Sequence, residues 1–191
     1  APTATVSSPP QATVKVGHLG AAGDGGIYVA LEKGYFKEQG IEVELVPFKL
    51  GAEMIPPVGT GQIDIASGGL SAGLFNSMAR GVNLRIVADK GRARSGGFGQ
   101  TTLVIRKDLA DSGAIKTIAD LKGRKVGLPA SLEVGSLNQW SLETGLKKVG
   151  LTLQDIEAVV VNVADTPVAL GNKSVDAVWG VEPWPTIAVE N

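Results

Sequence analysis

The sequence predicts an α/β fold made of two small lobes, and three observations lead there. Lys15-Val16-Gly17 returns as Lys125-Val126-Gly127. Each copy precedes a helical pattern and then glycine with an aliphatic residue, Gly40-Ile41 and Gly150-Leu151. Each half then delivers a strand carrying an acid four residues ahead of a glycine, Asp64 with Gly68 and Asp176 with Gly180. Strands separated by helices favour right-handed crossovers and a mostly parallel sheet. A β-α-β-α-β unit used twice gives two lobes, and two facing lobes make a cleft.

Residues Thr13 to Leu19 alternate apolar and polar, the mark of a first strand, and run into the glycine-rich loop HLGAAGDGG. In the helix IYVALEKGYF, residues Ile27, Ala30, Leu31 and Tyr35 are expected to share one face, with Gly34 and Gly40 loosening its end. IEVELVPF is the second strand, and Pro56-Pro57 limits or bends a short helix from about Ala52. QIDIAS reads as the third strand, GGLSAGLFNSMARG as a helix entered through Ser71, and NLRIVAD as a fourth strand.

The basic, glycine-dense stretch KGRARSGGFGQ has no periodicity and marks the lobe boundary. After the extended run TTLVIRKD, Thr117 opens a helix with Asp120 at capping-box spacing. Strand RKVGLP, helix VGSLNQWSLETGLKKVG, strand EAVVVNV, helix DTPVALGN and strand VDAVWG follow, and EPWPTIAVEN closes the chain. The expected division is a flexible tether over 1–12, lobe one over 13–95, a crossover over 96–106 and lobe two over 107–191.

Composition removes several function classes. A net charge of −1 over 191 residues gives no bulk attraction to nucleic acid or to an anionic membrane. Mean hydropathy is +0.15, yet no run approaches the roughly 18 apolar residues of a membrane span. With no cysteine there is no disulfide, thiolate nucleophile or zinc-thiolate site. The opening APTATVSSPPQA suits a tether left after signal-peptide removal, which predicts a periplasmic or extracellular protein, lipid-anchored or soluble.

In open α/β sheets, ligands sit past the carboxyl ends of the strands, where helix N-termini present free N–H groups. Small residues cluster at these places: Ala22 to Gly26, Gly68-Gly69-Leu70-Ser71, Pro129-Ala130-Ser131 and Gly135-Ser136. Each loop taken alone is also what any turn requires. No Walker pattern is present, and GAAGDGG lacks the Lys-Ser/Thr of a phosphate loop. His18, the only histidine, has no acid or nucleophile partner in sequence, which favours a structural or ligand-adjacent role. Asp64 and Asp176 read as structural acids tying down backbone amides. Glu182-Pro183-Trp184 is either a pocket cluster of acceptor and flat apolar area, or a core tryptophan beside a rim acid. Arg92, Arg94 and Arg106 flank the crossover, as anion ligands or as solvated hinge residues.

The ordered stretches EKGYFKEQGIEVELVPF, GTGQIDIASGG, ARGVNLRIVA, IADLKGRKVGLPASLEVGS and VDAVWGVEPW carry a resemblance from Val14 to Trp184. The chain resembles the solute-binding proteins of ABC importers for nitrate, sulfonates, taurine and thiamine-pyrimidine precursors. The resemblance implies a type II periplasmic-binding fold, two α/β lobes that close on a solute by a hinge and dock on a membrane permease. It implies no catalytic residue, metal or cofactor. Carried over by position, the pocket would involve Asp24, Gly26 and Ile27, the turn Gly68, Gly69 and Ser71, and the crossover Gly96 and Phe98. From lobe two it would draw on Ser131, Val134, Gly135 and Ser136, with Glu182 and Trp184.

Family members run considerably further, so lobe one is expected to be incomplete and the isolated chain to self-associate through uncovered apolar surface. The expected solute is a small polar or anionic molecule, sulfonate, nitrate or carboxylate; Asp24 and Glu182 with Trp184 would instead suit an aminopyrimidine. Two other readings remain open. One is a pyrimidine synthase using pyridoxal phosphate and iron, which would need a Schiff-base lysine, a reactive histidine and a cysteine-rich motif. The other is a sensory solute-binding lobe.

Overall fold

In the computed structural model, which describes residues 12–91, 99, 101–129 and 136–190, the first alternating segment becomes β1 (Ala12–His18). A 3-10 turn at Ala22–Asp24 leads into α1 (Gly25–Glu32), and α2 (Tyr35–Glu38) follows. The expected single helix breaks because Gly34 sits at φ 77°, in the left-handed region where only glycine is unstrained. That break turns Tyr35 outward, 55% exposed, so it does not share the inward face of Ile27, Ala30 and Leu31. Next come β2 (Ile41–Pro47), a 3-10 turn at Ala52–Met54, α3 (Ile55–Gly59) with prolines in its first turn, and β3 (Ile65–Ala66). Strands β2 and β3 both run parallel to β1, in the order β2-β1-β3.

The segment NLRIVAD, expected as a fourth strand, makes no ladder. It has no regular secondary structure, and Ile86 and Val87 are exposed. A strand exists only where a neighbour offers backbone donors and acceptors, and β3 at the sheet edge is two residues long.

α4 (Ala72–Ala79) begins at Ser71, whose side chain accepts from the Leu74 N–H. β4 (Thr101–Ile105) and α5 (Lys107–Asp111) precede a 3-10 turn at Ile118–Leu121, capped by Thr117 and Asp120 as the spacing predicted. Then come β5 (Lys125–Pro129), α6 (Leu137–Lys147), β6 (Glu157–Val161), α7 (Thr166–Gly171), β7 (Ala177–Val181) and α8 (Trp184–Glu190). The sheet order is β4-β7-β5-β6, with β5 parallel to both β6 and β7 and only β4 antiparallel.

The chain divides into two compact units. One holds the residues up to Gly68 together with Val82–Lys90; the other holds Gly69–Gly81 and everything from Gly91 onward. Residues 69–81 group with the second unit, and Thr101–Ile105 pairs within the second unit's sheet. Two apolar clusters fill that unit. One gathers Leu121, Val126, Leu142, Leu146 and Ala177 with their neighbours, the other Val104, Val161, Leu170, Val175 and Val178. Burying each such side chain contributes about 1.5–3 kcal/mol. Among the described residues of the first unit the buried apolar side chains are Val16, Met54 and Ile63.

The duplicated template has a physical basis. Asp64 Oδ2 accepts the Lys15 N–H at 2.8 Å, and Asp176 Oδ2 accepts the Lys125 N–H at 3.0 Å. In return the Asp64 and Asp176 amides donate to the Lys15 and Lys125 carbonyls. Each acid thus staples the start of its strand to the first strand of its half, as the sequence reading expected. The matched glycines are packing requirements: a Cβ at Gly17 would lie 2.8 Å from Ile63 Cδ1, and one at Gly127 2.8 Å from Val178 Cγ2.

Candidate ligand-binding site

In the first unit the carboxyl ends of β1 and β3 lie side by side, and one carboxylate organises the loops beyond them. Asp24 is fully buried. Its Oδ2 accepts the Leu19 and Ala21 N–H groups at 3.0 and 3.2 Å; its Oδ1 accepts Ser67 Oγ at 2.6 Å and Lys90 Nζ at 2.8 Å. Burial by itself would raise the Asp24 carboxyl, but the Lys90 and Ser67 hydrogen bonds, the Lys90 charge and the Leu19 amide outweigh it and hold the group below its ordinary value. Lys90 Nζ also donates to the Ser67 carbonyl at 3.0 Å. Asp24, expected as an acceptor for a solute amine, thus has both oxygens engaged inside the protein.

His18 closes the same strand. Its Nδ1 lies 2.8 Å from the Tyr28 hydroxyl, and the rings meet edge to face at 5.8 Å. Burial, then the Asp24 charge, raise the Tyr28 phenol. The pair orients a ring beside the loop, the structural or ligand-adjacent role expected of the lone histidine. Gly26 and Ile27 stand in the first turn of α1, and a Cβ at Gly26 would meet nothing within 4 Å. A Cβ at Gly68 would lie 3.5 Å from Met54 Cε.

In the second unit β5, β6 and β7 end on one edge, and antiparallel β4 starts there because Thr101 pairs with Val181. Four elements bring polar groups to this edge. Thr101 Oγ1 donates to Asn138 Oδ1 of α6 at 3.4 Å, and Thr102 Oγ1 to Glu182 Oε1 at 3.4 Å. Glu182 Oε2 accepts the Thr186 hydroxyl at 2.8 Å and the Thr186 N–H at 3.2 Å, fixing the start of α8 beyond the cis Glu182-Pro183 bond. Ser136 is buried and caps α6 by accepting the Gln139 N–H at 3.2 Å. A surface pocket of about 440 Å³ is lined by Ser136, Leu137, Gln139, Trp140 and Glu143. Among the described residues its lining comes from the cap and first turns of α6, and the polar groups at the carboxyl end of the sheet are a second marker. Trp140 is 65% exposed at that pocket.

Of the residues expected at the pocket, Asp24, Gly26, Ile27 and Gly68 lie in the first unit, and Gly69, Ser71, Ser136, Glu182 and Trp184 in the second. A Cβ at Gly69 would meet nothing within 4 Å. Within the second unit, Glu182 and Ser136 stand on the same sheet edge, and Trp184 is half-buried in the first turn of α8. Gly96, Phe98, Ser131, Val134 and Gly135 lie outside the described residues, as do Arg92 and Arg94. Arg106 is engaged elsewhere: its Nε contacts Asp108 and its guanidinium also reaches Asp176. The Asp108 hydrogen bond holds the Arg106 guanidinium above its ordinary value and the Asp108 carboxyl below its own. The sequence reading did not single out Tyr28, Ser67, Lys90, Thr101, Thr102, Asn138, Gln139 or Trp140. Trp140, within the helical pattern after Ser136, carried the one legible signal, since an apolar ring one turn past a serine cap sits beside free N–H groups.

Among the described residues no helix is long and apolar enough to cross a membrane. Comparison with known proteins agrees with this architecture. A family profile described as NMT1/THI5 like matches residues 23–191. A Haemophilus influenzae protein named for thiamine biosynthesis is 31% identical over 156 residues, 81% of this chain and 44% of that protein. An Escherichia coli K12 protein named for binding aliphatic sulfonates is 31% identical over 160 residues, 83% of this chain and 45% of that protein. The chain thus spans under half the length of these curated relatives. Among solved structures, the periplasmic aliphatic sulphonate binding protein SsuA from Escherichia coli superposes with a TM-score of 0.63 at 22% identity, covering 95% of this chain and 58% of that one. The chain is a member of the NMT1/THI5-like family, with the two-lobed α/β fold of the periplasmic binding proteins.

Proposed function

We propose that the protein is the solute-binding component of an ABC importer, an exported, non-catalytic protein that captures a small polar or anionic organic solute and passes it to a membrane permease. One observation carries this reading. The carboxyl edge of the second unit's sheet carries Thr101, Thr102, Ser136, Asn138 and Glu182, a set of hydroxyl, amide and carboxylate groups already engaged in hydrogen bonds. Such groups, with the leading N–H groups of an 11-residue helix, bind and orient a solute. The open space at Gly26 and Gly69 supports it, since neither glycine is demanded by packing or by a positive φ. A relative named for sulfonate binding makes sulfonates the first solute class to test, with nitrate and carboxylates beside them. A relative named for thiamine biosynthesis adds aminopyrimidines as the second.

The test is a thermal-shift and calorimetry series on the full chain with ethanesulfonate, nitrate, acetate and 4-amino-5-hydroxymethyl-2-methylpyrimidine. A cognate solute at 100 times its dissociation constant should stabilise the protein by about 2.7 kcal/mol and be recovered unchanged. Chemical conversion of a bound compound, or no shift with any of the four, overturns the proposal.

A further inference from the structure

We infer that Asp24 is a positioning residue whose buried carboxylate, clamped by Lys90 and Ser67, holds three chain segments of the first unit in one arrangement ready for solute. The inference rests on the solute-binding reading and assigns Asp24 a part that proximity to the pocket alone would not. The three segments are far apart in sequence. The loop after β1 enters through the Leu19 and Ala21 N–H groups, the end of β3 through Ser67, and the run leading out of the unit through Lys90.

The loop after β1 is glycine-rich, β3 is two residues long, and residues 82–90 make no strand ladder. Side-chain bonds to one carboxylate therefore do here what a ladder does elsewhere. Lys90 is bound twice, to Asp24 Oδ1 and to the Ser67 carbonyl, while Ser67 donates its amide to the Gly17 carbonyl of β1. The cluster is closed: Asp24 gives both oxygens to four donors and has none left for a solute. A carboxylate buried this deeply needs its counter-ion, since a lone buried charge is strongly disfavoured. Losing Lys90 thus frees the loop rather than merely deleting a surface contact. Loops fixed beforehand spare the ordering entropy that a solute would otherwise have to overcome.

The test compares wild type, Lys90→Met and Lys90→Arg in the full chain by amide hydrogen exchange and by calorimetry with ethanesulfonate. In Lys90→Met, the Leu19 and Ala21 amides should exchange on the order of tenfold faster while the β5 and β6 amides keep their rates. Lys90→Arg, which retains a cation with several donors, should restore most of the protection. Ethanesulfonate affinity should fall on the order of tenfold in Lys90→Met and recover in Lys90→Arg. Parallel acceleration of every amide would mean a purely global loss of stability, and unchanged Leu19 and Ala21 rates would mean no clamp; either overturns the inference. If wild type binds no ethanesulfonate, the affinity arm is run with whichever of the four solutes it binds; if it binds none, the solute reading fails and the exchange arm alone decides the clamp. If Lys90→Met does not fold, Ser67→Ala takes its place, keeping the ion pair but removing one donor; faster Leu19 and Ala21 exchange supports the clamp and unchanged exchange overturns it.

Discussion

At the scale of single residues, the two template acids look equivalent in sequence but are bound differently. Asp64 is exposed and staples Lys15 alone. Asp176 is mostly buried; one oxygen accepts the Lys125 N–H and the other the Arg106 guanidinium at 3.2 Å. An asparagine at 64 can keep its carbonyl on Lys15 and turn its NH₂ to water. An asparagine at 176 must aim its NH₂ at one of two donors and leave that donor unpaired. Asp176→Asn should therefore cost about 1–3 kcal/mol in urea unfolding and Asp64→Asn under about 1 kcal/mol. Equal losses at the two sites would mean that the Arg106 contact contributes nothing. The stapling role of both acids was legible because each recurs at the same place in a repeated pattern. The role of Asp24 was not, because its partners Ser67 and Lys90 stand 43 and 66 residues away.

At the scale of elements, what could be read from the sequence is what local chemistry decides. Thr117 with Asp120 caps a turn at the predicted spacing, and Thr152 with Asp155 repeats the device. The Lys116 and Thr117 amides hold the Asp120 carboxyl below its ordinary value. Helix α6 follows its serine as expected, while NLRIVAD, read as a strand, joins no ladder among the described residues. The kink at Gly34 was half legible: glycine signalled a loosening, but the outward turn of Tyr35 depends on the backbone angle reached there. The α6 cap can be measured. Ser136→Ala removes the acceptor for the Gln139 N–H and should lower stability by about 1 kcal/mol. Ser136→Asp, another good cap, should restore it; a destabilised aspartate variant would show that burial at Ser136, rather than capping, sets the residue.

At the scale of the whole molecule, the two units differ in what holds them. The second unit has a four-stranded sheet with apolar clusters that together include Leu142, Leu146, Val175 and Val178. The first has a three-stranded sheet, three buried apolar side chains among its described residues, and loops held by a charged cluster. Less apolar burial per residue means a smaller margin over conformational entropy, so the first unit should open at lower denaturant. The chain carries its own reporters for this. Both tyrosines, Tyr28 and Tyr35, lie in the first unit, and all three tryptophans, Trp140, Trp179 and Trp184, lie in the second. In a urea titration, tyrosine difference absorbance should change before tryptophan fluorescence. Leu146→Ala, which empties a fully buried site at a cost of about 2–5 kcal/mol, should pull the tryptophan transition toward the tyrosine one while leaving the latter in place. Coincident transitions in wild type that move together in Leu146→Ala would instead show one cooperative unfolding event. If the chain binds solute as proposed, a first unit that opens early is the part whose loops the solute would most strongly protect, and ligand should narrow the gap between the two transitions.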